Sequence, residues 1–288
     1  MSSFADMKNR SRGSAKALQE KIEKSESKDS YKDDRFWRPE LDKSSNGYAA
    51  IRFLPSFGDE DLPFVKIYSH AFQGPGGWFI ENCPTTIGGK CPLCETNNKL
   101  WQSGLETDKD IARSRKRKMQ YISNILVVSD PSNPQNEGKN FLFKYGKKIF
   151  DKINESMNPE FEDEEAINPF DFWKGADFKL KVRKVAGYIN YDKSEFDSPD
   201  VLFDGDDDRL EELWKMQHSL QAFIAPDQFK SYDELKSRLE IVLGDDVRSR
   251  ESNSNTVETA PAPTPTTMRE ETGEENALDY FEKLANES

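Results

Sequence analysis

Three cysteines and one histidine are the residues of this chain whose types and spacing could bind a metal ion. Cys83, Cys91 and Cys94 all fall in the stretch ENCPTTIGGKCPLCE, and His70 precedes them in the pattern H-x12-C-x7-C-x2-C. A Cys-x2-Cys turn lets two thiolates chelate one ion, with two more ligands arriving from elsewhere. Four protein ligands of the Cys3His type are typical of a closed, structural site. The sequence therefore predicts one structural Zn²⁺.

Two other interpretations of the cysteines remain open. A Cys-x2-Cys pair can be a redox centre, although Cys83 and His70 would then have no role, and three buried thiols can also lie near a histidine by chance. The second histidine, His218, lies on a predicted helix close to Trp214, and we expect it to be an ordinary packing or surface residue. An odd number of cysteines without an obvious pairing favours a reducing compartment.

Charge is segregated along the chain. The formal net charge is −12, yet five of the six residues in RSRKRK, which begins at Arg113, are basic. The stretch from Arg113 to Lys152 contains ten basic and three acidic residues, whereas the last 38 residues contain nine acidic and two basic ones. Such blocks predict a protein with a positive surface and separate negative segments.

Aromatic residues are interleaved with the basic ones. Tyr121 follows the basic run, and further rings alternate with lysines in FLFKYGKK and again in KVRKVAGYINY. Cations neutralise phosphates while flat rings stack on bases, which is the combination that binds single-stranded nucleic acid. Phe141, Phe143 and Tyr145 point to the same side of an ideal strand, so some of these rings are equally well explained as core.

The elements that must position these residues are mostly strands. Short apolar and aromatic stretches separated by Gly, Pro, Asp or Asn predict strands at AAIRFLPS, FVKIYSHAF, GWFIEN, YISNILVVSD, KNFLFKYG and DFKLKVRKVAGY. Helices are predicted at GKKIFDKINESM, DRLEELWKMQHSLQAF and SYDELKSRLEIVLG, the last with a capping box formed by Ser231 and Glu234. The expected fold is mainly β with helices, an α+β domain built on a small barrel.

Composition divides the chain into three parts. Residues 1–30 are expected to form a basic, flexible N-terminal arm, residues 31–248 the folded core, and residues 249–288 an acidic, flexible tail. Near the end of the tail, Leu278, Phe281 and Leu284 suggest either a short amphipathic helix for a partner or a disordered end. No apolar run of about 18 residues predicts a membrane span, and the N-terminus lacks the apolar core of a secretion signal.

Together, AAIRFLPS, the segment from His70 to Cys94, NILVVSDPSNPQNEGK, YGKKIFDKIN and GYINYDKSEF resemble the single-stranded DNA-binding (helix-destabilising) proteins of T-even-type bacteriophages. The resemblance covers residues 47 to about 243. It implies an OB-like barrel with an inserted zinc subdomain around residues 65–105, and it implies that His70, Cys83, Cys91 and Cys94 bind the zinc.

The same resemblance implies roles for other residues. Lys8, Arg10 and Arg12 in the arm would mediate cooperative self-association along DNA, and the acidic tail would recruit replication and recombination proteins. The protein would then act in DNA replication, recombination and repair in the cytoplasm of an infected host cell. The interleaved basic and aromatic residues, together with the resemblance, predict a DNA-binding set that comprises Arg52, Trp101, Arg115, Lys116, Arg117, Lys118, Tyr121, Phe143, Tyr145, Lys147, Lys148, Tyr188 and Tyr191.

Other classes of function are less favoured but stay open. The acidic runs EDEE and DGDDD are typical of solvated loops, and the second could bind Ca²⁺ or Mg²⁺, but no Gly-rich phosphate loop supports an enzyme. A zinc-containing scaffold for protein partners would use the basic run to meet an acidic protein. A single-stranded RNA-binding protein would have the same residues, because they hardly separate DNA from RNA.

Overall fold

The computed structural model describes residues 33–161 and 165–244, and all of them belong to one compact unit. The predicted arm, the tail and most of the EDEE run lie outside the described residues. The strands are β1 (Phe36–Trp37), β2 (Gly47–Phe53), β3 (Val65–Gly74), β4 (Gly77–Asn82), β5 (Lys118–Ser129), β6 (Asn140–Tyr145), β7 (Phe178–Val185), β8 (Tyr188–Asn190) and β9 (Glu195–Phe196). The α-helices are α1 (Pro92–Gln102), α2 (Glu106–Ser114), α3 (Lys147–Met157), α4 (Asp207–Lys215) and α5 (Tyr232–Leu243).

The strands form one mixed sheet in the order β1-β6-β5-β2-β7-β8. β1 is parallel to β6, and the other pairs are antiparallel. The long β5 is the centre of the sheet, since it pairs with β2, β3 and β6. The mainly β prediction with helices is confirmed at this level. The predicted small barrel is not closed: within the described part of the chain, the short strands β1 and β8 each pair on one side only, so the sheet is open.

Alternating side chains place apolar clusters on both faces of the sheet. On one face, Phe53, Ile125 and Phe178 join a main core that also contains the rings of β6 and the buried side of α3. On the other face, Leu126 and Leu213 belong to a smaller cluster under α4. Helices therefore cover both faces of the sheet.

Two of the predicted helices form as expected, and the third ends early. α3 and α5 match the predicted stretches, and Ser231 and Glu234 make the predicted capping box. The helix predicted to continue past His218 stops at Lys215. The side chain of Asn124 bonds the backbone N–H and carbonyl of His218, and these long-range hydrogen bonds replace the helical ones.

The DGDDD run has a structural role at the start of α4. The side chain of Asp206 is the N-cap and accepts hydrogen bonds from the backbone N–H groups of Asp208 and Arg209. An acidic N-cap satisfies donors that a helix leaves unpaired in its first turn.

No helix in the described ranges is long and apolar enough to cross a membrane.

Candidate metal centre and the adjoining basic surface

Four side chains from separate elements converge on one point next to the sheet. His70 lies on β3, Cys83 follows β4, Cys91 is the residue before α1, and Cys94 is in the first turn of α1. β3 and β4 pair as a hairpin that holds His70 beside the residues leading to Cys83. Pro92 at the first position of α1 favours the helical start that brings the two thiols of the Cys-x2-Cys turn to one side.

The distances among the four side chains fit one tetrahedral ion. His70 Nε2 lies 3.6 Å from Cys91 Sγ and 3.5 Å from Cys94 Sγ, and the sulfurs of Cys83 and Cys94 are 3.6 Å apart. All four ligand atoms lie within 4.8 Å of one another. Zn–S and Zn–N bonds of about 2.3 and 2.0 Å produce S–N and S–S edges of about 3.5 and 3.8 Å in a tetrahedral site. The cluster is therefore compatible with a single zinc ion.

The close thiols shift one another's pKa in opposite directions. Hydrogen bonding to Cys91 and Cys94 lowers the pKa of Cys83, whereas hydrogen bonding to Cys83 and Cys91 raises the pKa of Cys94. Buried thiolates this close repel one another, and a divalent ion removes that repulsion by binding the ionised forms. A redox pair or a chance group of thiols does not account for the convergence of His70 and Cys83 on the same point.

The contacts around the ligands hold them in place. His70 Nδ1 lies 3.2 Å from the backbone carbonyl of Arg115, so the ring directs Nε2 at the sulfurs. The hydroxyl of Thr85 lies 3.1 Å from Cys83 Sγ and accepts a hydrogen bond from Arg117 at 2.7 Å. The metal centre is thus in direct contact with the basic run that follows α2.

The register of the sheet brings two basic segments together. Lys118, at the start of β5, pairs with Ser69 on β3, and Tyr121 pairs with Tyr145 on β6. Because β5 and β6 are antiparallel, the residues before Tyr121 and those after Tyr145 lie at the same end of the sheet. We call this end the basic surface, and its members are Arg113, Arg115, Lys116, Arg117, Lys118, Lys147 and Lys148.

A cleft lies between the metal centre and the basic surface. Its volume is about 750 Å³, and its lining includes Lys90, Trp101, Lys116 and Arg117. The indole of Trp101 is 50% exposed, and the guanidinium of Arg113 lies 5.4 Å from the centre of its ring. The predicted residue Trp101 is therefore placed beside the predicted basic run, with an aromatic face partly open to solvent.

The hairpin formed by β7 and β8 lies at the other side of the basic surface. Lys148 Nζ is 3.2 Å from Asn190 Oδ1 on β8, and the ring of Tyr188 at the tip of the hairpin is 79% exposed. Tyr191 is half-buried against the main core. The structure therefore brings the basic run, the lysines at the start of α3 and Tyr188 into one neighbourhood.

The basic side chains of β7 are largely neutralised by carboxylates. Lys179 pairs with Asp197 at 2.6 Å and Lys181 with Glu195 at 2.6 Å, and Arg183 also forms an ion pair with Asp192. These pairs are exposed and individually contribute little to stability. They reduce the net positive charge of β7, and two members of the basic surface are paired in the same way, Arg113 with Asp110 at 2.6 Å and Lys147 with Asp151 at 3.0 Å.

Three of the predicted aromatic residues lie inside the core. Tyr121, Phe143 and Tyr145 are at most 5% exposed, and the rings of Tyr121 and Phe150 stack at 4.0 Å. The hydroxyl of Tyr145 lies 2.9 Å from that of Ser123. Since α3 and neighbouring rings cover them, these side chains have no free face for a base in this structure. Their placement favours the core interpretation that the strand alternation left open.

Arg52 is also buried rather than exposed on the basic surface. Its side chain is 1% exposed, with Nη1 lying 3.4 Å from Asp177 Oδ1 and Nη2 donating to the carbonyl of Asp200. Burial lowers the pKa of Arg52 and raises that of Asp177, although each favours the charged form of the other. The arginine links β2 to Asp177, which directly precedes β7, and to Asp200, which follows β9.

Sequence reasoning missed several residues of this region. Arg117 lies over the ring of Tyr68 at 4.2 Å, and Asn97 donates a hydrogen bond to the carbonyl of Arg115 at 3.1 Å. Tyr68 could have been found, because it lies two residues before His70 on a predicted strand and so shares its face. Asn97 carried no such signal, since its partner depends on how α1 packs against the end of α2.

A Cys3His cluster that is compatible with a metal ion lies beside an exposed positive surface, on a mixed sheet covered by helices. These features define a protein suited to anionic ligands. Comparison with known proteins identifies the family. Residues 45–243 match the family described as gp32 DNA binding protein like. The chain belongs to this family.

Individual relatives agree with that assignment. The single-stranded DNA-binding proteins of Enterobacteria phages T2 and T4 are each 41% identical to this chain over 216 residues, which covers 72% of the chain and 70% of each relative. The single-stranded DNA-binding protein of Escherichia phage SV14 is 46% identical over 65 residues, or 22% of this chain and 58% of that protein.

Proposed function

We propose that this chain binds single-stranded DNA through the basic surface and the cleft beside the metal centre. The observation that carries the proposal is the convergence of Arg115–Lys118, Lys148 and the exposed ring of Trp101 at one end of the sheet. Family membership and the printed names of the phage T2 and T4 relatives support a binding protein, not an enzyme.

The chemistry of this surface suits a single strand. Its lysines and arginines neutralise phosphates and release counterions, so affinity falls with added salt at a slope of about −0.7 per phosphate contacted. The exposed rings of Trp101 and Tyr188 stack on bases that a single strand leaves accessible, whereas duplex bases are already stacked and paired. Between these rings, Lys116 and Lys148 would follow the phosphate backbone.

A single structural Zn²⁺ bound by His70, Cys83, Cys91 and Cys94 is part of the proposal. The ion would supply cross-linking of β3, the end of β4 and the start of α1, in a region with few buried apolar residues. The protein's part is to hold the four ligands close together and to keep the basic run in contact with the centre through Thr85.

The remaining features of the proposal concern architecture and the ends of the chain. We infer that β2, β3, β5 and β6, with β7, correspond to an OB-like arrangement within residues 31–248, with the zinc subdomain inserted around residues 65–105. Residues 1–30, through Lys8, Arg10 and Arg12, would support cooperative binding between copies along DNA. Residues 249–288 would recruit replication and recombination proteins in the cytoplasm of an infected host cell, and the chain would serve replication, recombination and repair.

A fluorescence-anisotropy titration with labelled oligothymidylate tests the proposal. The matching duplex and an oligouridylate of equal length are run beside it, each at two salt concentrations. Strong binding to single-stranded DNA that weakens with added salt, with little binding to the duplex, supports the function. A chain that lacks residues 1–30 should bind with less cooperativity. A chain that lacks residues 249–288 should bind more tightly at low salt. Equal binding of RNA would favour the RNA alternative, and equal or absent binding of all three polymers would favour a zinc scaffold for protein partners.

Tyrosines inside and outside the core should respond differently to truncation. Tyr188→Ala removes an exposed ring and should lower single-strand affinity by about 1–3 kcal/mol without changing the melting temperature. Tyr145→Ala opens a cavity in the main core and should lower the free energy of unfolding by about 3–5 kcal/mol. Thermal melts and anisotropy on both variants measure this, and a stable Tyr145→Ala protein with weak binding would assign Tyr145 to the DNA surface instead.

A further inference from the structure

One backbone carbonyl joins the metal centre to the basic surface. The carbonyl oxygen of Arg115 lies 3.2 Å from His70 Nδ1 and accepts a hydrogen bond from Asn97 Nδ2 at 3.1 Å. Arg115 is the C-cap residue that follows α2. The last carbonyls of a helix receive no hydrogen bond from an N–H group of the same helix. The two side chains therefore supply the partners that the helix itself cannot.

Both of these donors are fixed by the metal ligands. His70 is a ligand itself, and Asn97 follows Cys94 by three residues on α1, which places the two side chains on the same face of the helix. Asn97 Oδ1 is buried without a hydrogen-bond partner among the described residues, so the donor end of the amide makes its anchoring contact. The position of α1 at the metal centre thus sets the position of the Arg115 carbonyl.

The other end of the basic run is fixed next to the same centre. Lys118 pairs with Ser69, the residue before His70 on β3. Lys116 and Arg117 therefore span a short gap between two anchors, and Arg117 is further held over Tyr68 and against Thr85. A segment held at both ends presents its cations with little loss of conformational entropy when a ligand binds.

We propose that Asn97 is a positioning residue for single-strand binding, which it supports by holding the Arg115 carbonyl together with His70. The proposal rests on the proposed function and adds to it a route by which metal occupancy and DNA binding are coupled. Coupling free energies are reciprocal. If bound metal raises the affinity for single-stranded DNA by some factor, bound DNA must raise the affinity for the metal by the same factor.

Asn97→Leu tests the role of the amide donor, because leucine has a similar size and cannot donate. Single-strand affinity should fall about three- to tenfold, the range for one lost hydrogen bond, and the slope of log affinity against log salt should become shallower by about 0.7–1.4, or one to two phosphates. Asn97→Gln keeps an amide donor and should recover part of both losses. A purely structural role would lower the melting temperature and leave the salt slope unchanged.

The second readout is metal retention against a chelator, with and without oligothymidylate. DNA should protect the metal in the unmodified protein and protect it less in Asn97→Leu. Thr96→Val is the matched control, because the hydroxyl of Thr96 donates to the carbonyl of Pro92 within α1 at 2.9 Å. If the unmodified protein does not bind single strands, the proposed function fails; if it binds and Asn97→Leu keeps the same salt slope and the same protection, only this inference is overturned.

Discussion

Replacing Cys91 with serine is expected to abolish stoichiometric metal binding and to unfold the segment between β4 and β5, while the rest of the sheet stays folded. In that segment, the buried aliphatic side chains are those of Leu93, Ala112, Pro84 and Pro92, which is too little apolar surface to hold two helices in place. A bound ion would supply the missing stabilisation, since structural zinc contributes about 10–16 kcal/mol of apparent binding free energy in small peptides. Serine keeps the size of the side chain but cannot act as a thiolate ligand.

Metal content, limited proteolysis and thermal melting together measure this result. We expect less than one equivalent of metal, new cleavage between β4 and β5, and a lower first transition in the melt, with most of the far-ultraviolet circular dichroism retained. Ser103→Ala is the matched control, because this exposed side chain donates to the carbonyl of Leu100 and accepts from the backbone N–H of Leu105 at the end of α1, and it is not one of the four ligands. A Cys91→Ser protein that keeps one equivalent of metal and the wild-type cleavage pattern would contradict the assignment of Cys91 as a ligand.

The Cys3His cluster could be predicted from the sequence because its four residues lie close together in the chain. The three cysteines and His70 are close in the chain, and a hairpin followed by a helix is enough to bring them together. The capping box of Ser231 and Glu234 is local in the same sense, and it formed as expected. Features of this kind depend on a few neighbouring residues and little on the rest of the fold.

The features that sequence analysis missed depend on partners far away in the chain. Arg52 is buried because Asp177 and the carbonyl of Asp200 meet it from distant segments. The helix predicted to run past His218 ends because Asn124, on another element, bonds the backbone there. The periodicity of apolar residues indicates which side of a helix or strand is buried. It does not indicate which distant side chain will form a hydrogen bond with the backbone.

The aromatic residues depend on both local and long-range information. Strand alternation correctly put Phe143 and Tyr145 on one side of β6, but that side could equally have faced a ligand or a helix. The decision comes from α3, whose buried residues Ile149 and Ile153 cover this side of the sheet. Only the exposed rings, such as Tyr188, remain available to a ligand in the structure.

Removing one lysine from each of the two basic segments is expected to weaken single-strand binding as if one continuous surface had lost two phosphate contacts. Lys116 belongs to the run before β5 and Lys148 to the first turn of α3, and the pairing of Tyr121 with Tyr145 places both at one end of the sheet. The double variant Lys116→Ala/Lys148→Ala should flatten the slope of log affinity against log salt by about 1.4, at 0.7 for each phosphate. At low salt the affinity should fall by about ten- to hundredfold.

The matched control removes two exposed lysines from elsewhere, Lys174→Ala/Lys215→Ala. It makes the same change in net charge, so it reports the effect of overall charge on an acidic chain without touching the basic surface. Anisotropy titrations across a salt series give both slopes, and melting temperatures confirm that each protein is folded. Equal slopes in the two double variants would mean that general charge, and not this surface, attracts the DNA. A change of only 0.7 in the first variant would mean that the strand contacts one segment and bypasses the other.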